Sequence, residues 1–541
     1  GLCGDALGPT VARTERSPRA QRVARRRRTS LGQLRLGTAR ALKPVSKPSS
    51  PPPASGADAR SKTVESTASM WATRLLSTTG ARAAAATCAA AFGGDAIWRD
   101  AVRCDAAAER AGPIRRKLTP IGRFSLLSET RDAPSVPAVL LRLEGTLPER
   151  ELRDALSRSF GAASPRFRSR VDEKTLEFVD DVGDAAPIVL PGPKRPTLQK
   201  AVAEALDAPL AGRGAGRPWW EANVFSEPTG TAVLLRSHHC LADGVSTATI
   251  MGRLTDQADA IDEAVAEEIA KRRRARGKRP SLLARLLKRL AFALRVLAAA
   301  LATALAMLTA PGAPRKRRPG ARTVAWAPDF ADVAELKRVA KRLAGRATVN
   351  DVFATLVAGA LGDELGADAR AVSCAIPVHL YGGALPPNTA VGNHIGAVVA
   401  RLPLPSGDGP AEHLRAVHDD VGGALRGGHR AIVAYAAARF AGALLPRALV
   451  PPALRASAGV ATVALTNVRG PPVDDVSVAG RRVVDVIPFL PPPPGVPVGA
   501  ALATARGKAT LCVNCADGTY DADALLEGAM ARWVALREAA A

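Results

Sequence analysis

The sequence predicts an α/β fold: two domains, each mixing strands and helices, held apart by an insertion of different character. Three observations predict it. The chain has 541 residues, 47% of them apolar, enough for two or three domains with sizeable cores. Strand alternation and helical periodicity recur on both sides of the insertion, which points to layered α/β architecture in each half. The insertion itself, 271–322, carries sixteen Lys/Arg and no acid, and contains an uncharged run at 296–310.

Taken in order, residues 1–112 are rich in Arg, Ala, Ser and Pro and lack apolar periodicity, so they are expected to be a disordered or targeting region. The first methionine is Met70, and the acid-free stretch after it reads either as an organelle-targeting leader starting at Met70 or as an alanine-rich disordered tail. An N-terminal domain is expected over 113–270. There "VPAVLLRLEG" reads as a strand with Val139, Leu141 and Leu143 on one face. "LPERELRDALSRSF" reads as a helix with Leu152, Leu156 and Phe160 four apart. "TAVLLRS" (231–237) is a second strand, and the pattern is helical from 245 to about 270. A C-terminal domain is expected over 323–541. "TVNDVFATLVAGALGDEL" is a helix with Thr348 and Asp351 at capping-box spacing. "AVSCAIPVHL", "GNHIGAVVARLPL", "ATVALTNVRGPPV" and "KATLCVNCADGTY" read as strands, and a closing helix follows.

The net charge of +25 suggests a nucleic-acid partner until it is located. Residues 1–50 carry +10 and residues 271–322 carry +16, so the remainder is near neutral at −1. With aromatics at 4%, neither a basic binding face nor base stacking is indicated, and no nucleic-acid partner is expected. The uncharged run of fifteen residues would reach about 22 Å as a helix, short of the ~30 Å hydrocarbon core. Basic residues flank it on both sides. The expected partner of 271–322 is therefore an anionic membrane surface, with the helix lying on it or dipping into it; the other reading is a solvated interdomain linker whose helix docks on its own protein. The seven scattered cysteines point to a reducing compartment, and Cys512-Val-Asn-Cys515, a lone pair in a strand-like run, reads as packed thiols rather than a zinc site.

The chemistry concentrates at "LLRSHHCLADGVST" (234–247), where His238 and His239 are followed by Asp243-Gly244. Histidine is the side chain best suited to general-base work near neutral pH. At a strand end it can face a cleft. Simple alternation puts His239 on the face of Val233, Leu235 and Ser237 and His238 on the other, so the two should have different jobs. Asp243 is placed to orient the turn through a hydrogen bond or an ion pair with a distant Arg, and Gly244 to allow a sharp turn into the helix. Metal binding is disfavoured, because strand neighbours point apart and no third ligand lies at familiar spacing. No Gly-x-Ser-x-Gly elbow offers a nucleophile.

His-His-x-x-x-Asp-Gly resembles the signature of coenzyme-A-dependent acyltransferases with the chloramphenicol-acetyltransferase-like fold. Further stretches narrow the resemblance to the wax ester synthase/diacylglycerol acyltransferase family: "LTPIGRFSLL" (118–127), "PRFRSRV" (165–171), "RPWWE" (217–221), Asn350-Asp351 in "VNDVFATLVAGAL", "IPVHL" with "VGNHIGAVVARLPL", and "TNVRGP" (466–471). Two departures are visible: Trp219 stands where the family has Leu, and Arg469 where it often has Pro. The resemblance covers 115–541 outside the insertion and implies two mixed-sheet domains forming a shared cleft. It implies acyl transfer from acyl-CoA, a co-substrate and not a bound cofactor, to diacylglycerol or a long-chain alcohol, through a ternary complex with His239 as base. His238 and Asp243 would support it, Thr466 and Asn467 would supply oxyanion donors or line the cleft, and Asn350 and Asp351 would brace the surface between domains. Membrane association, at the endoplasmic reticulum or a lipid droplet, is the expected location. The competing reading is a catalytically weak lipid-binding or membrane-tethering protein on the same fold.

Overall fold

The computed structural model describes residues 114–541 except 132, 181–185, 275–281, 311–319, 384, 386–390 and 517. These belong to one unit, Arg74–Ala541. The disordered or targeting region expected over 1–112, with its start at Met70, lies outside the described residues.

The first half runs β1 (Ile114–Lys117), α1 (Pro120–Ser128), β2 (Ala138–Glu144), α2 (Glu149–Leu156), β3 (Arg170–Asp172), β4 (Glu177–Asp180), β5 (Val189–Pro191), α3 (Leu198–Asp207), β6 (Trp220–Glu227) and β7 (Gly230–Ser237). Helices α4 (Gly244–Leu254), α5 (Ala258–Arg274) and α6 (Leu282–Leu308) follow. The second half runs β8 (Thr323–Asp332), α7 (Val333–Ala344), α8 (Val349–Leu365), β9 (Ala371–His379), β10 (Ile395–Pro403), α9 (Pro410–Val417), α10 (His429–Leu444), α11 (Val450–Ala456) and β11 (Val463–Arg469). It closes with β12 (Ser477–Val478), β13 (Arg481–Phe489), β14 (Val498–Ala505), β15 (Lys508–Cys515) and α12 (Ala522–Ala540).

Two six-stranded mixed sheets carry the architecture, in the orders β12-β13-β2-β7-β6-β5 and β10-β9-β11-β14-β15-β8, and β1-β4-β3 form a small third sheet. The alternation in β2 decides how the first sheet packs. Leu141 and Leu143 join Val233 and Leu235 of β7 in one apolar cluster with α2 and α4. Ala138 and Leu140 face the other way, onto α3 and onto Val324, Ala501 and Cys512 of the second sheet. The stripe Leu152, Leu156 and Phe160 is buried as expected, and Phe160 stacks on Trp220 at 5.0 Å.

Three sequence expectations need correction. The second half does not keep to itself: β13 pairs antiparallel with β2, so Ser477–Phe489 belong to the first sheet although they fall within 323–541. The helical stretch after 244 breaks at Thr255–Gln257, because Asp256 is used elsewhere. Its carboxylate accepts from the backbone of Ala479 and Gly480 and from Ser477 Oγ, and so holds the β12–β13 turn. "GNH" (392–394) is a loop and not the start of a strand, and β10 begins at Ile395. Its polar groups are spent on the histidine motif. In the insertion, α6 runs the whole of Leu282–Leu308, longer than the uncharged run, and an 18-residue stretch within Leu287–Leu308 has a mean hydropathy of 2.1. Val296, Ala299 and Thr303 on one face are buried; Leu290, Leu294, Leu301, Leu305 and Leu308 on the others are exposed. Phe292 meets His429, and Arg430 Nε donates to Thr303 Oγ1 at 3.4 Å, so the inner face rests on α10.

Candidate active site

β7 ends at Ser237, and the chain then leaves the sheet with its backbone fully employed. His238 N donates to Trp219 O at 2.9 Å, His239 N to Ser135 O at 2.8 Å, and Leu241 N to His238 O at 3.0 Å. Helix α1 lies directly against this turn: a Cβ on Gly122 would come within 2.9 Å of Cys240 O, so glycine is required for the approach.

The two histidines do occupy different surroundings. His238 is fully buried, edge-on to Trp219 at 5.0 Å. Its Nδ1 accepts from Cys240 N at 3.0 Å, and its Nε2 lies 3.1 Å from Glu129 Oε2. Burial lowers its pKa, while Cys240 and the Glu129 carboxylate raise it, to about 9. The Cys240 N–H opposes that rise, because it demands a lone pair on Nδ1 that a protonated ring lacks; this contact outweighs the charges and keeps the ring neutral, with Nε2–H donating to Glu129. Glu129 is itself fixed by Arg213, whose guanidinium lies over Trp219 at 4.9 Å. His238 thus supports the site from behind.

His239 faces the cavity. Its Nδ1 is 2.9 Å from Asn393 Oδ1, and Asn393 Nδ2 donates to His239 O at 2.8 Å. The second bond commits the amide nitrogen, which leaves the amide oxygen to accept from Nδ1–H. That assignment puts the lone pair on Nε2. Burial holds the His239 pKa below the usual histidine value despite the charge of Asp243, so the ring is neutral near pH 7.

Asp243 is fully buried and works through hydrogen bonds, without an arginine partner among the described residues. Oδ1 accepts from Ser246 N at 2.8 Å, capping α4, and Oδ2 accepts from His394 N at 2.6 Å. Its backbone N donates to Gly392 O at 2.9 Å, and Ser246 Oγ donates to the same carbonyl. Asp243 therefore fastens the motif to the 392–394 loop of the second half. The expectation for Gly244 is corrected. The turn is made by Asp243 in extended conformation, and Gly244 has no positive φ. A Cβ there would meet nothing within 4 Å, and Gly244 borders the cavity, so what it contributes is open space beside His239.

The cavity exists because two parallel strands part. β11 pairs with β14 along seven residue pairs but with β9 over only Val463↔Cys374 and Ala464↔Ala375. Beyond that point Ile376–His379 and Leu465–Arg469 diverge, and both stretches line a cavity of about 1010 Å³ together with His239. Thr466 and Asn467 lie on this wall, as expected. Asn350 joins them: Asn467 Nδ2 donates to Asn350 Oδ1 at 2.6 Å. Asp351 does not line the cavity. It is buried, accepts from Thr348 N at 2.7 Å in a capping box, and sits 3.0 Å from His418 Nδ1.

Family models for the wax ester synthase/diacylglycerol acyltransferase catalytic domain and for the WS/DGAT C-terminal domain match residues 188–353 and 391–532. The chain belongs to the wax ester synthase/diacylglycerol acyltransferase family. A comparison with curated proteins returns no match. Among solved structures, the chain is similar to the wax ester synthase/diacylglycerol acyltransferase from Marinobacter aquaeolei VT8, with 16% identity, a TM-score of 0.53, and coverage of 78% of this chain and 99% of that one. It is also similar to the condensation domain from Monacolin K polyketide synthase MokA, at 12% identity and TM-score 0.50, covering 79% and 97%. At these identities the likeness establishes a shared two-sheet fold, in keeping with the chloramphenicol-acetyltransferase-like expectation.

Membership in the wax ester synthase/diacylglycerol acyltransferase family makes the chain an acyltransferase that draws on acyl-CoA and a lipid acceptor. Several site residues of this family member escape a reading of the sequence. Asn393, Glu129 and His379 reach the motif from 154, 109 and 136 positions away. Asn393 and His379 fall within stretches that resemble the family, but spacing gives neither a partner. Glu129 had no signal beyond its place after α1.

Proposed function

We propose that this chain transfers a long-chain acyl group from acyl-CoA to the hydroxyl of diacylglycerol, a long-chain alcohol, or both. The observation that carries the reading is the tautomer imposed on His239: Asn393 holds Nδ1–H and leaves the Nε2 lone pair to the cavity. Nε2 takes the proton of the alcohol as its oxygen attacks the thioester carbonyl. The tetrahedral intermediate then expels the coenzyme A sulfur, and the proton on Nε2 goes to that thiolate. A thiol has a pKa near ~8.5, so its departure needs little acid assistance and one histidine suffices. The negative charge on the carbonyl oxygen needs donors, and the cavity wall carries Thr466, Asn467 and Asn350, whose hydroxyl and amide groups are the donors this reading assigns. A volume of about 1010 Å³ lies at the top of the ~300–1,000 Å³ range of small-molecule sites and supports two substrates held together.

The apolar outer face of α6 and the exposed cations of its first half, Lys288, Arg289 and Arg295, support a helix resting on an anionic membrane surface. Leu287–Leu308, 22 residues, are long enough to cross a bilayer at ~1.5 Å per residue, so length no longer argues against a span. The argument for lying flat is now the inner face docked on α10.

The test is an assay of labelled acyl-CoA with diacylglycerol and a fatty alcohol in competition. Ester formation is expected with at least one acceptor, and His239→Ala should abolish it while the melting temperature holds. Lipid binding without ester formation by the intact chain would favour the weak lipid-binding alternative.

A further inference from the structure

The cavity wall holds two buried polar side chains that acyl transfer by His239 leaves unused, one from each half. His379 ends β9; its side chain is 5% exposed, and neither ring nitrogen has a hydrogen-bond partner among the described residues. Thr247 lies in the first turn of α4 at 9% exposure, and its Oγ1 has no partner either. Both line the cavity that His239 faces. Both also flank Asp243: His379 Nε2 is 3.7 Å from Asp243 Oδ2, and Thr247 N donates to Asp243 O at 2.8 Å. Buried polar atoms are nearly always satisfied, so two orphans on one cavity wall call for an explanation.

We propose that His379 and Thr247 form a polar subsite that hydrogen-bonds a neutral group able to donate and accept, a hydroxyl or a secondary amide, of a substrate bound in the cavity. This inference rests on the acyltransferase reading and deepens it. The group is neutral for electrostatic reasons. The buried carboxylate of Asp243 repels an anion such as phosphate, and its two oxygens already accept from Ser246 N and His394 N, so it is not waiting for a cation. Burial keeps the His379 ring uncharged, so ring and hydroxyl each offer a donor and an acceptor. Such a group comes from two sources, the amide-bearing arm of coenzyme A or the polar end of the lipid alcohol.

The experiment uses the full chain with Thr247→Val and His379→Phe made singly, and Thr247→Ser as the conservative control. KM is measured separately for acyl-CoA and for the alcohol, alongside kcat and melting temperature. One KM is expected to rise about tenfold in Thr247→Val and in His379→Phe with kcat largely kept, and Thr247→Ser to restore it. A rise for acyl-CoA assigns the subsite to the coenzyme arm, and a rise for the alcohol assigns it to the acceptor. Both KM values unchanged in well-folded Thr247→Val would overturn the proposal, whether or not His379→Phe folds. If the unaltered chain makes no ester, the acyltransferase reading fails by itself. Calorimetric binding of a non-hydrolysable acyl-CoA thioether and of the alcohol, to the unaltered chain and to Thr247→Val, then reads the subsite directly, and equal affinities for both overturn it.

Discussion

For His239 to accept a proton, its Nε2 must carry a lone pair, and the amide of Asn393 is the group that arranges this. The consequence is measurable as a pH profile. A base works only above its own pKa, and burial holds that of His239 below the ordinary histidine value. The acidic limb of kcat/KM should therefore lie below about 6.5, the unperturbed value of histidine. Asn393→Asp places a carboxylate against Nδ1 and stabilises the imidazolium, so the limb should move up by about one unit or more. A limb that stays where it was would argue against His239 as the base. Residue identity at this scale was partly legible. The motif names His239, because few other arrangements put a base and a buried carboxylate so close in sequence. Asn393 was not nameable as its partner, because a contact across 154 residues leaves no periodic trace. Gly244 was named for the wrong reason: sequence reports that a side chain is absent, and only the packed structure tells whether that frees the backbone or opens space.

At the scale of elements, the start of α8 was the most readable, since its cap is local. The capping box between Thr348 and Asp351 formed as the spacing predicts, but every residue from Asp351 to Leu361 is buried, so α8 is enclosed on all sides and not only along a stripe of Phe353, Leu356, Ala360 and Leu361. Asp351→Ala removes the acceptor of Thr348 N and the partner of His418, and should cost about 1–2 kcal/mol of stability. Because Asp351 does not line the cavity, activity per folded molecule should be nearly unchanged. Thermal unfolding and an active-fraction assay separate the two effects, and a large fall in kcat without a fall in melting temperature would give Asp351 a direct role. The elements misjudged share a cause. The break at Thr255–Gln257 and the 392–394 loop both arise because a polar group is claimed by a distant segment, Asp256 by the β12–β13 turn and the 392–394 loop by Asp243 and His239. Periodicity carries no record of such claims.

For the whole molecule, the basic charge outside residues 1–50 and the densest exposed apolar surface among the described residues both fall on α6 and its flanks, and this makes vesicle binding the decisive measurement. The full chain should float with anionic vesicles and less with neutral ones, with binding weakened by salt. Leu301→Glu with Leu305→Glu, both exposed, should reduce flotation without lowering the melting temperature, and equal flotation would remove α6 as the membrane contact. The sequence by itself determined the α/β class, the two-half layout, the location of the charge and the motif that marks the site. Each of these is written in local composition, in short-range periodicity or in a fixed spacing. Tertiary structure alone decided that β13 completes the first sheet, that β9 and β11 part to open the cavity, that Asn393 and Glu129 reach the histidines, and that His379 reaches Asp243. Those facts depend on which strand edges and buried polar groups find one another across more than a hundred residues. Burial and hydrogen-bond satisfaction settle such pairings for the folded chain as a whole.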